Sequence, residues 1–265
     1  MPDFLDILVR DARRTVESGY YEDMHMETAK RRLSLKESIE KNKYTPIIAE
    51  VKPFSPSLGV LRRISNIKDI VKAMERGGAV GISILTEPIH FKGSLKNLEE
   101  ACSYTNIPVL MKDIVVDPIQ IEAASKNGAD AILLIYSIFR RGYVNYRVED
   151  MIDYAHSMKL EVLLETHSID EFKAAVEINT DLIGINNRDL TTLKVDLNIT
   201  RKILENMNPH GKIIISESGI EKPEDIRFLY SYGVRAFLIG SAIMLAENIE
   251  NKIKEFVYAY GKSKD

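Results

Sequence analysis

An acidic and a basic residue, Glu50 and Lys52, stand one residue apart at the end of an apolar run, directly before a loop rich in proline and serine. Because side chains in a strand alternate between its two faces, these two would point the same way. Two charges on one face of a buried strand are costly unless they pair or take part in chemistry. Proton transfer is the chemistry that such a pair can perform, and a structural ion pair is the alternative.

Polar residues also follow other apolar runs of the chain. They are Lys112, Glu165, Asn186, Glu217 and Ser218. Any one of them could be a structural group at a strand end, but a hydrophobic core does not need a polar residue at the same end of most of its strands. We therefore expect a site in which two lysines, three acids and an amide converge.

Two short segments that contain glycine and serine point to a phosphate site. Glu217-Ser218-Gly219-Ile220 follows one apolar run, and Ile239-Gly240-Ser241-Ala242 follows the next and opens a helix. Small residues let backbone N–H groups face a phosphate, and a helix N-terminus adds favourable partial charge. Ser218 and Ser241 could instead be helix caps, but capping does not explain why both segments follow adjacent strands.

The elements that would hold these residues alternate between strand and helix. The apolar runs span 47–52, 80–85, 109–112, 131–135, 162–165, 182–186, 213–216 and 236–239, and the helical stretches between them include 66–76, 118–126, 148–158, 169–177, 197–207 and 223–232. Eight buried strands with right-handed crossovers predict an α/β fold, a (β/α)8 TIM barrel, whose active site lies at the C-terminal ends of the strands. A doubly wound sheet is the alternative, but no strand is followed by a G-x-G-x-x-G turn.

The residues ahead of the first strand are predicted to form an N-terminal helical extension. Phe4, Ile7, Leu8 and Ala12 fall at helical spacing, and a second helical segment is expected at 34–42. No linker or shift in composition divides the chain. We therefore predict one domain over residues 1–265, with the extension at 1–45 and the barrel at 46–265.

Composition narrows the class of protein. A chain of 265 residues with 45% hydrophobic residues can bury a full core, and its net charge of −3 gives no reason to expect nucleic acid or an anionic membrane as a partner. Cys102 is the one cysteine, which excludes an internal disulfide and a zinc site built on several cysteines. Neither a signal-peptide core nor a run long enough to cross a bilayer is visible, so a cytoplasmic protein is expected.

Taken in order along the chain, a set of motifs resembles the indole-3-glycerol phosphate synthase family. The motifs are Glu50-Val51-Lys52 with Ser55-Pro56-Ser57, Ser83-Ile84-Leu85-Thr86-Glu87, Leu110-Met111-Lys112-Asp113, Leu164-Glu165, Ile183-Gly184-Ile185-Asn186-Asn187-Arg188-Asp189-Leu190, Ser216-Glu217-Ser218-Gly219-Ile220 and Leu238-Ile239-Gly240-Ser241. The resemblance covers nearly the whole chain. It also fits the N-terminal extension, because members of this family carry an extra helix that borders the substrate site.

The resemblance implies a lyase of tryptophan biosynthesis that uses no metal or organic cofactor. Its members convert 1-(2-carboxyphenylamino)-1-deoxyribulose 5-phosphate to indole-3-glycerol phosphate by ring closure, loss of CO2 and loss of water. Lys112 would be the acid for ring closure and Glu165 would stabilise the iminium cation that follows. Lys52, Glu50 and Glu165 are the candidates for the dehydration.

The resemblance also assigns the remaining site residues. Asn186 would bind the sugar hydroxyls or orient a carboxylate, Glu217 and Ser218 would help to orient the site, and Arg188 would make a structural salt bridge behind Asn186. The phosphate would bind at Ser55, Gly219, Gly240 and Ser241, and the apolar wall for the aromatic ring would come from Pro56, Phe91 and Leu134. A weak association with other tryptophan-pathway enzymes is compatible with the resemblance.

One position departs from the family pattern. Many members have a second basic residue shortly after the first lysine, whereas this chain has Pro53-Phe54. Lys52, Arg62 or Arg63 could replace it as the group that binds the substrate carboxylate. Two other functions stay open at this stage, a Schiff-base aldolase acting on sugar phosphates and a catalytically silent barrel that binds a phosphate ligand.

Overall fold

A computed structural model describes residues 3–22 and 32–260. In these residues eight parallel strands form a closed barrel in which each strand pairs with the next along the chain and the last pairs with the first. The strands are β1 (Ile47–Val51), β2 (Gly81–Leu85), β3 (Val109–Lys112), β4 (Ala131–Ile135), β5 (Glu161–Thr166), β6 (Leu182–Asn186), β7 (Ile213–Glu217) and β8 (Ala236–Ile239). The predicted TIM barrel is confirmed, and the predicted strands agree with the observed ones to within one residue at each end.

Helices precede the barrel, connect its strands and follow the last of them. They are α1 (Phe4–Glu17), α2 (Leu35–Glu40), α3 (Ile67–Arg76), α4 (Leu95–Tyr104), α5 (Pro118–Lys126), α6 (Tyr136–Arg140), α7 (Val148–Ser157), α8 (Ile169–Val176), α9 (Asn198–Asn206), α10 (Pro223–Ser231), α11 (Ser241–Leu245) and α12 (Ile249–Val257). The loop after β1 holds a short hairpin, Phe54–Ser55 paired with Gly59–Val60, which the sequence analysis did not foresee. None of the described helices has both the length and the apolar character needed to cross a bilayer.

Strand alternation divides the core into an inner and an outer layer. Ile48, Leu110 and Leu163 pack together inside the barrel, whereas their neighbours Met111 and Leu164 pack between the strands and the surrounding helices. All of these side chains are at most 1% exposed, as expected of a parallel barrel that is covered on its outside and filled on its inside.

The two described helices of the N-terminal extension lie at opposite ends of the barrel. Leu35 of α2 packs against the start of β2 so closely that a Cβ at Gly81 would lie 2.5 Å from its Cδ1. Ser34 and the backbone N–H of Leu35 donate to the carboxylate of Glu161 at the start of β5, at 2.5 and 2.8 Å. An acid at a helix N-terminus is favourable, so α2 is fixed over the amino-terminal end of the barrel.

Helix α1 borders the opposite end, where the strands finish. Its side chain of Leu8 lines the cavity described below, and His90 in the loop after β2 contacts Asp11 at 3.0 Å. The predicted apolar face is partly wrong, because Phe4 and Ile7 are only half-buried while Leu5 is 1% exposed. Part of the predicted extension, residues 23–31, lies outside the described residues.

Candidate active site

A cavity of about 660 Å³ opens at the carboxyl ends of the strands. The sequence-predicted polar residues that line it are Glu50, Lys52, Lys112, Glu165, Asn186 and Ser218. They meet there because each stands at or just beyond the carboxyl end of a barrel strand, with Glu50 and Lys52 both at the end of β1. Small-molecule sites of this fold occupy the same end of the barrel.

The ammonium group of Lys112 is surrounded by carboxylates. Its Nζ lies 2.5 Å from Glu217 Oε2, 3.6 Å from Glu165 Oε2 and 3.8 Å from Glu50 Oε2. Burial lowers the pKa of Lys112, but the three acids outweigh burial and raise the pKa above its ordinary value. Lys112 is therefore a charged group held at the centre of the cavity.

A second ion pair lies beside the first. Lys52 Nζ is 3.1 Å from Glu50 Oε1, so Glu50 contacts both lysines of the site through its two oxygens. Burial raises the pKa of Glu50, but Lys52 and Lys112 outweigh it and hold the pKa below its usual range. The adjacent glycine Gly240 leaves room for this carboxylate, since a Cβ there would collide with Oε1 of Glu50.

Glu217 and Asn186 stand side by side on the neighbouring strands β7 and β6. Glu217 is fully buried beneath the cavity, where a Cβ at Gly184 would collide with its Oε1, and burial raises its pKa to about 7. Asn186 accepts a hydrogen bond from the backbone N–H of Arg188 at 2.9 Å. The amide of Asn186 thereby fixes the start of the loop that follows β6.

The residues predicted to bind phosphate form one side of the cavity. Ser218, Gly219, Gly240 and Ser241 all line it, at the ends of the adjacent strands β7 and β8. Gly219 has a φ of +81°, and a Cβ at this position would collide with Val195 of the loop after β6. This position requires glycine on both counts.

Three other predicted site residues lie away from the cavity wall. Leu134 packs in the outer layer of the core, and its neighbour Leu133 lines the cavity instead, because alternate residues of β4 face inward. Ser55 and Pro56 belong to the hairpin and its turn, and the lining residues from this segment are Ser57 and Leu58. Phe91 lines the cavity as predicted for the apolar wall.

Two arginines have other partners than the sequence suggested as candidates. Arg188 makes no salt bridge to a described residue; it lines the cavity, donates to Ser57 Oγ at 3.1 Å and to the carbonyl of Leu193 at 2.9 Å. Burial lowers its pKa, and Glu50 acts in the opposite direction. Arg62, a candidate for binding the carboxylate, donates instead to the carbonyls of Met244 and Ala246 at 2.8 and 2.5 Å.

Asp113, next to Lys112, connects the site to the N-terminal extension. It lines the cavity and accepts hydrogen bonds from the hydroxyls of Tyr21 and Thr86 at 2.9 and 2.5 Å. Burial raises its pKa to about 6. Within the described residues, no group of three or more His, Cys, Asp or Glu side chains has an arrangement that could hold a metal ion.

Solved structures that are similar to this chain share its fold. One is an N-acetylmannosamine-6-phosphate 2-epimerase from Clostridium perfringens, with a TM-score of 0.60 and 13% identity over 82% of this chain and 93% of the other. Another is a thiamine phosphate pyrophosphorylase from Pyrococcus furiosus, with a TM-score of 0.59 and 19% identity over 81% of this chain and 94% of the other. At these identities the likeness supports the barrel fold alone.

Sequence relatives are more specific. The family model for indole-3-glycerol phosphate synthase matches residues 7–256. Curated relatives of that name include one from Methanocaldococcus jannaschii, 47% identical over 86% of this chain and 84% of the relative, and one from Caldanaerobacter subterraneus subsp. tengcongensis, 38% identical over 97% of both chains. The cluster of lysines and carboxylates described above thus lies in a chain that belongs to the indole-3-glycerol phosphate synthase family.

Proposed function

We propose that this chain is a carboxy-lyase that makes indole-3-glycerol phosphate in tryptophan biosynthesis, and that Lys112, Glu165, Lys52 and Glu50 carry the reaction. Family membership over residues 7–256 supports the activity. The observation that supports the assignment of residues is Lys112 Nζ within 3.8 Å of three carboxylates at the floor of the cavity.

Ring closure needs an acid at the ketone of the substrate. A ring carbon, the one that bears the carboxylate, attacks the ketone carbon, and the ketone oxygen must gain a proton so that negative charge does not build up on it. Lys112 supplies this proton because its neighbours keep it in the charged form. The product of this step is an alcohol whose ring carries the positive charge of an iminium ion.

Loss of CO2 discharges that cation. The bond between the ring carbon and the carboxylate breaks, and its electron pair restores the aromatic ring. Glu165 lies on β5, 3.6 Å from Lys112, and is placed to stabilise the positive charge until CO2 leaves. Its carboxylate is 2% exposed, so water does not screen that interaction strongly.

Dehydration needs a second acid and a base. The hydroxyl leaves as water after it takes a proton, and a proton leaves the neighbouring carbon to complete the indole. Lys52 and Glu50, 3.1 Å apart, are the pair we assign to these roles. Glu50 suits the base because the two lysines favour its ionised form.

The cavity offers separate places for the three parts of the substrate. We place the phosphate at Ser218, Gly219, Gly240 and Ser241, where small residues leave the backbone accessible. The carboxylate of the aromatic ring goes to Arg188, which fills the function of the basic residue that is absent after Lys52. The aromatic ring packs on Phe91 and Leu133.

The same electrostatics oppose a Schiff-base aldolase. A lysine that forms a Schiff base must be neutral to attack a carbonyl, and enzymes achieve this by lowering its pKa. The pKa of Lys112 is raised instead. The proposal for a lyase is therefore the better account of this residue.

Formation of the indole ring tests the proposal directly. The purified protein is mixed with the carboxyphenylamino-deoxyribulose phosphate, with no metal added, and indole fluorescence is followed. We expect indole fluorescence to rise with the wild type. In Lys112→Ala we expect the rate of this rise to be at least about a hundredfold lower, the scale usual for general acid catalysis. A folded wild type that gives no rise contradicts the lyase, and a borohydride-stable adduct on Lys112 or Lys52 would support the aldolase instead.

A further inference from the structure

A buried histidine stands directly behind the catalytic cluster and has no assigned role in the reaction above. His167 follows the last residue of β5, two residues after Glu165, and its side chain is only 14% exposed. Neither ring nitrogen has a well-directed hydrogen bond to any described residue. A buried polar group without such a partner calls for an explanation, because leaving it unsatisfied is costly.

The imidazole lies between two carboxylates. Its Nε2 is 3.3 Å from Oε1 of Glu165, and its Nδ1 is 3.7 Å from Oε2 of Glu171. Glu165 Oε2 faces Lys112 at the same time, so the two oxygens of this acid face different cations if the imidazole is protonated. Glu165 is therefore held between Lys112 and His167.

The far partner of His167 is itself fixed. Glu171 accepts a hydrogen bond from the backbone N–H of His167 at 2.9 Å and another from Ser137 Oγ at 2.6 Å. It is 6% exposed, and Arg140 approaches it at 3.9 Å from the surface. The position of the ring is therefore set by a buried carboxylate on α8.

The charges around the ring favour its protonated form. Burial lowers the pKa of His167, but Glu171, Glu165 and the more distant Glu217 outweigh it and raise the pKa above the ordinary 6.5. Beyond the ring lies a smaller cavity of about 240 Å³ whose charged lining residues are Arg141, His167, Glu171, Arg188 and Asp189. Arg141 pairs with Asp3 and Arg188 donates to Ser57, and within the described residues Glu165 and Glu171 are the acids that lie within 4.0 Å of the imidazole.

A protonated His167 forms a further pair of opposite charges with Glu171 beside the lysine cluster. Glu165 then lies between two cations, with Oε2 facing Lys112 and Oε1 facing His167.

We propose that His167 is a positioning residue that, as an imidazolium ion, pairs with Oε1 of Glu165 and holds Oε2 of this acid toward Lys112 during the reaction. The proposal rests on the function proposed above for Glu165. It assigns His167 an electrostatic role through another residue, without contact with the substrate.

The protonation state of His167 can be measured without any turnover. In protein labelled with 15N at histidine, the ring nitrogens are followed by NMR as a function of pH, and the His167 signals are identified by their absence in His167→Gln. We expect both nitrogens to be protonated at neutral pH and the midpoint of the titration to lie above 6.5. The midpoint should fall in Glu171→Gln, which removes one of the two neighbouring charges. A neutral ring at neutral pH would overturn the proposal.

Kinetics test the consequence for Glu165. In His167→Gln we expect kcat to fall by about tenfold or more with KM little changed, because Glu165 loses the cation that fixes its Oε1. His156→Gln, at a histidine paired with Asp181 on the surface of the barrel, is the matched control and should behave as wild type. A His167→Gln enzyme with the wild-type kcat would contradict the proposal. An inactive wild type with a charged His167 would instead refute the lyase function and leave the charge pairing intact.

Discussion

Four of the eight barrel strands carry two very different residues on their inward face, two positions apart. The lower layer is apolar and the upper layer is charged, and the pairs on β1, β3, β5 and β7 are Ile48 and Glu50, Leu110 and Lys112, Leu163 and Glu165, Ile215 and Glu217. The strands that carry the two layers are the same, and Glu50, Glu165 and Glu217 are as deeply buried as the aliphatic side chains, while the side chain of Lys112 is 17% exposed. The main difference is the chemistry of the side chains.

The lower layer stabilises the barrel, and the upper layer serves its activity. Burying aliphatic side chains stabilises the fold, at about 25 cal/mol for each Å² removed from water. Burying carboxylates costs free energy, and the shifted pKa of Glu217, about 7, shows that cost. Since four charged residues occupy positions where aliphatic ones would fit, the upper layer is explained by function and not by stability.

Removal of a charge from the upper layer should produce the largest effect on activity. In Glu165→Gln we expect turnover to fall by at least about a hundredfold, because the amide cannot stabilise a cation as a carboxylate does. The free energy of unfolding, measured by urea titration, should change much less than turnover, since Lys112 keeps Glu217 and Glu50 as partners. The exposed Glu205→Gln is the control. A Glu165→Gln enzyme with a much lower free energy of unfolding and normal turnover would show that this residue serves stability and not activity.

Truncation of a side chain in the lower layer should lower stability and leave turnover largely unchanged. Leu110→Ala removes a side chain that is 0% exposed and leaves a cavity, so we expect a loss of about 2–5 kcal/mol in the free energy of unfolding. Turnover per folded molecule should change far less than in Glu165→Gln. Urea unfolding together with turnover at low temperature measures both quantities. A severe loss of turnover in fully folded protein would show that the lower layer takes part in catalysis.

Replacement of the arginine at the edge of the cavity should act on binding. In Arg188→Ala we expect KM to rise by about tenfold, equivalent to about 1.4 kcal/mol, with a smaller change in kcat, because a substrate carboxylate loses its partner. Arg63→Ala, at an exposed arginine of the loop after β1, is the matched control. Unchanged KM in Arg188→Ala would return this residue to the structural role suggested by the sequence.

A smaller effect should appear in the pH dependence of stability. The pKa of Glu217 is about 7 in the folded protein against 4.5 for an exposed glutamic acid. The folded state therefore gains stability from this group at low pH and loses it as pH rises from about 4.5 to 7. Glu217→Gln should lack this decline, which we expect to be of the order of 1–3 kcal/mol in unfolding free energy. Identical pH profiles of stability in the two proteins would contradict the shifted pKa.

The upper layer was open to prediction from the sequence because strand periodicity alone fixes which way its side chains point. Glu50, Lys52, Lys112, Glu165 and Asn186 were all expected at one mouth, and all line the cavity. The same rule identifies Leu133 as the inward residue of β4, so the prediction of Leu134 for the apolar wall is wrong. His167 also carried a signal, since it is two residues after Glu165, directly after the end of β5.

The loops could not be predicted in this way. Arg188 and Ser57 come from the connections after β6 and β1, and they meet at 3.1 Å only because the closed barrel brings those loops together. No periodicity within either segment specifies that contact. The hairpin that removes Ser55 from the cavity wall has the same cause, because its pairing is formed between residues of a loop.

The most direct test of the account is the rate of indole formation by Lys112→Arg. An arginine keeps the positive charge among Glu217, Glu165 and Glu50, so the protein should stay folded, but its guanidinium group does not give up a proton. We predict that turnover falls by at least about a hundredfold, because ring closure needs a proton and not only a charge. Turnover equal to that of the wild type would show that Lys112 is not the acid, and the assignment of the upper layer to proton transfer would fail.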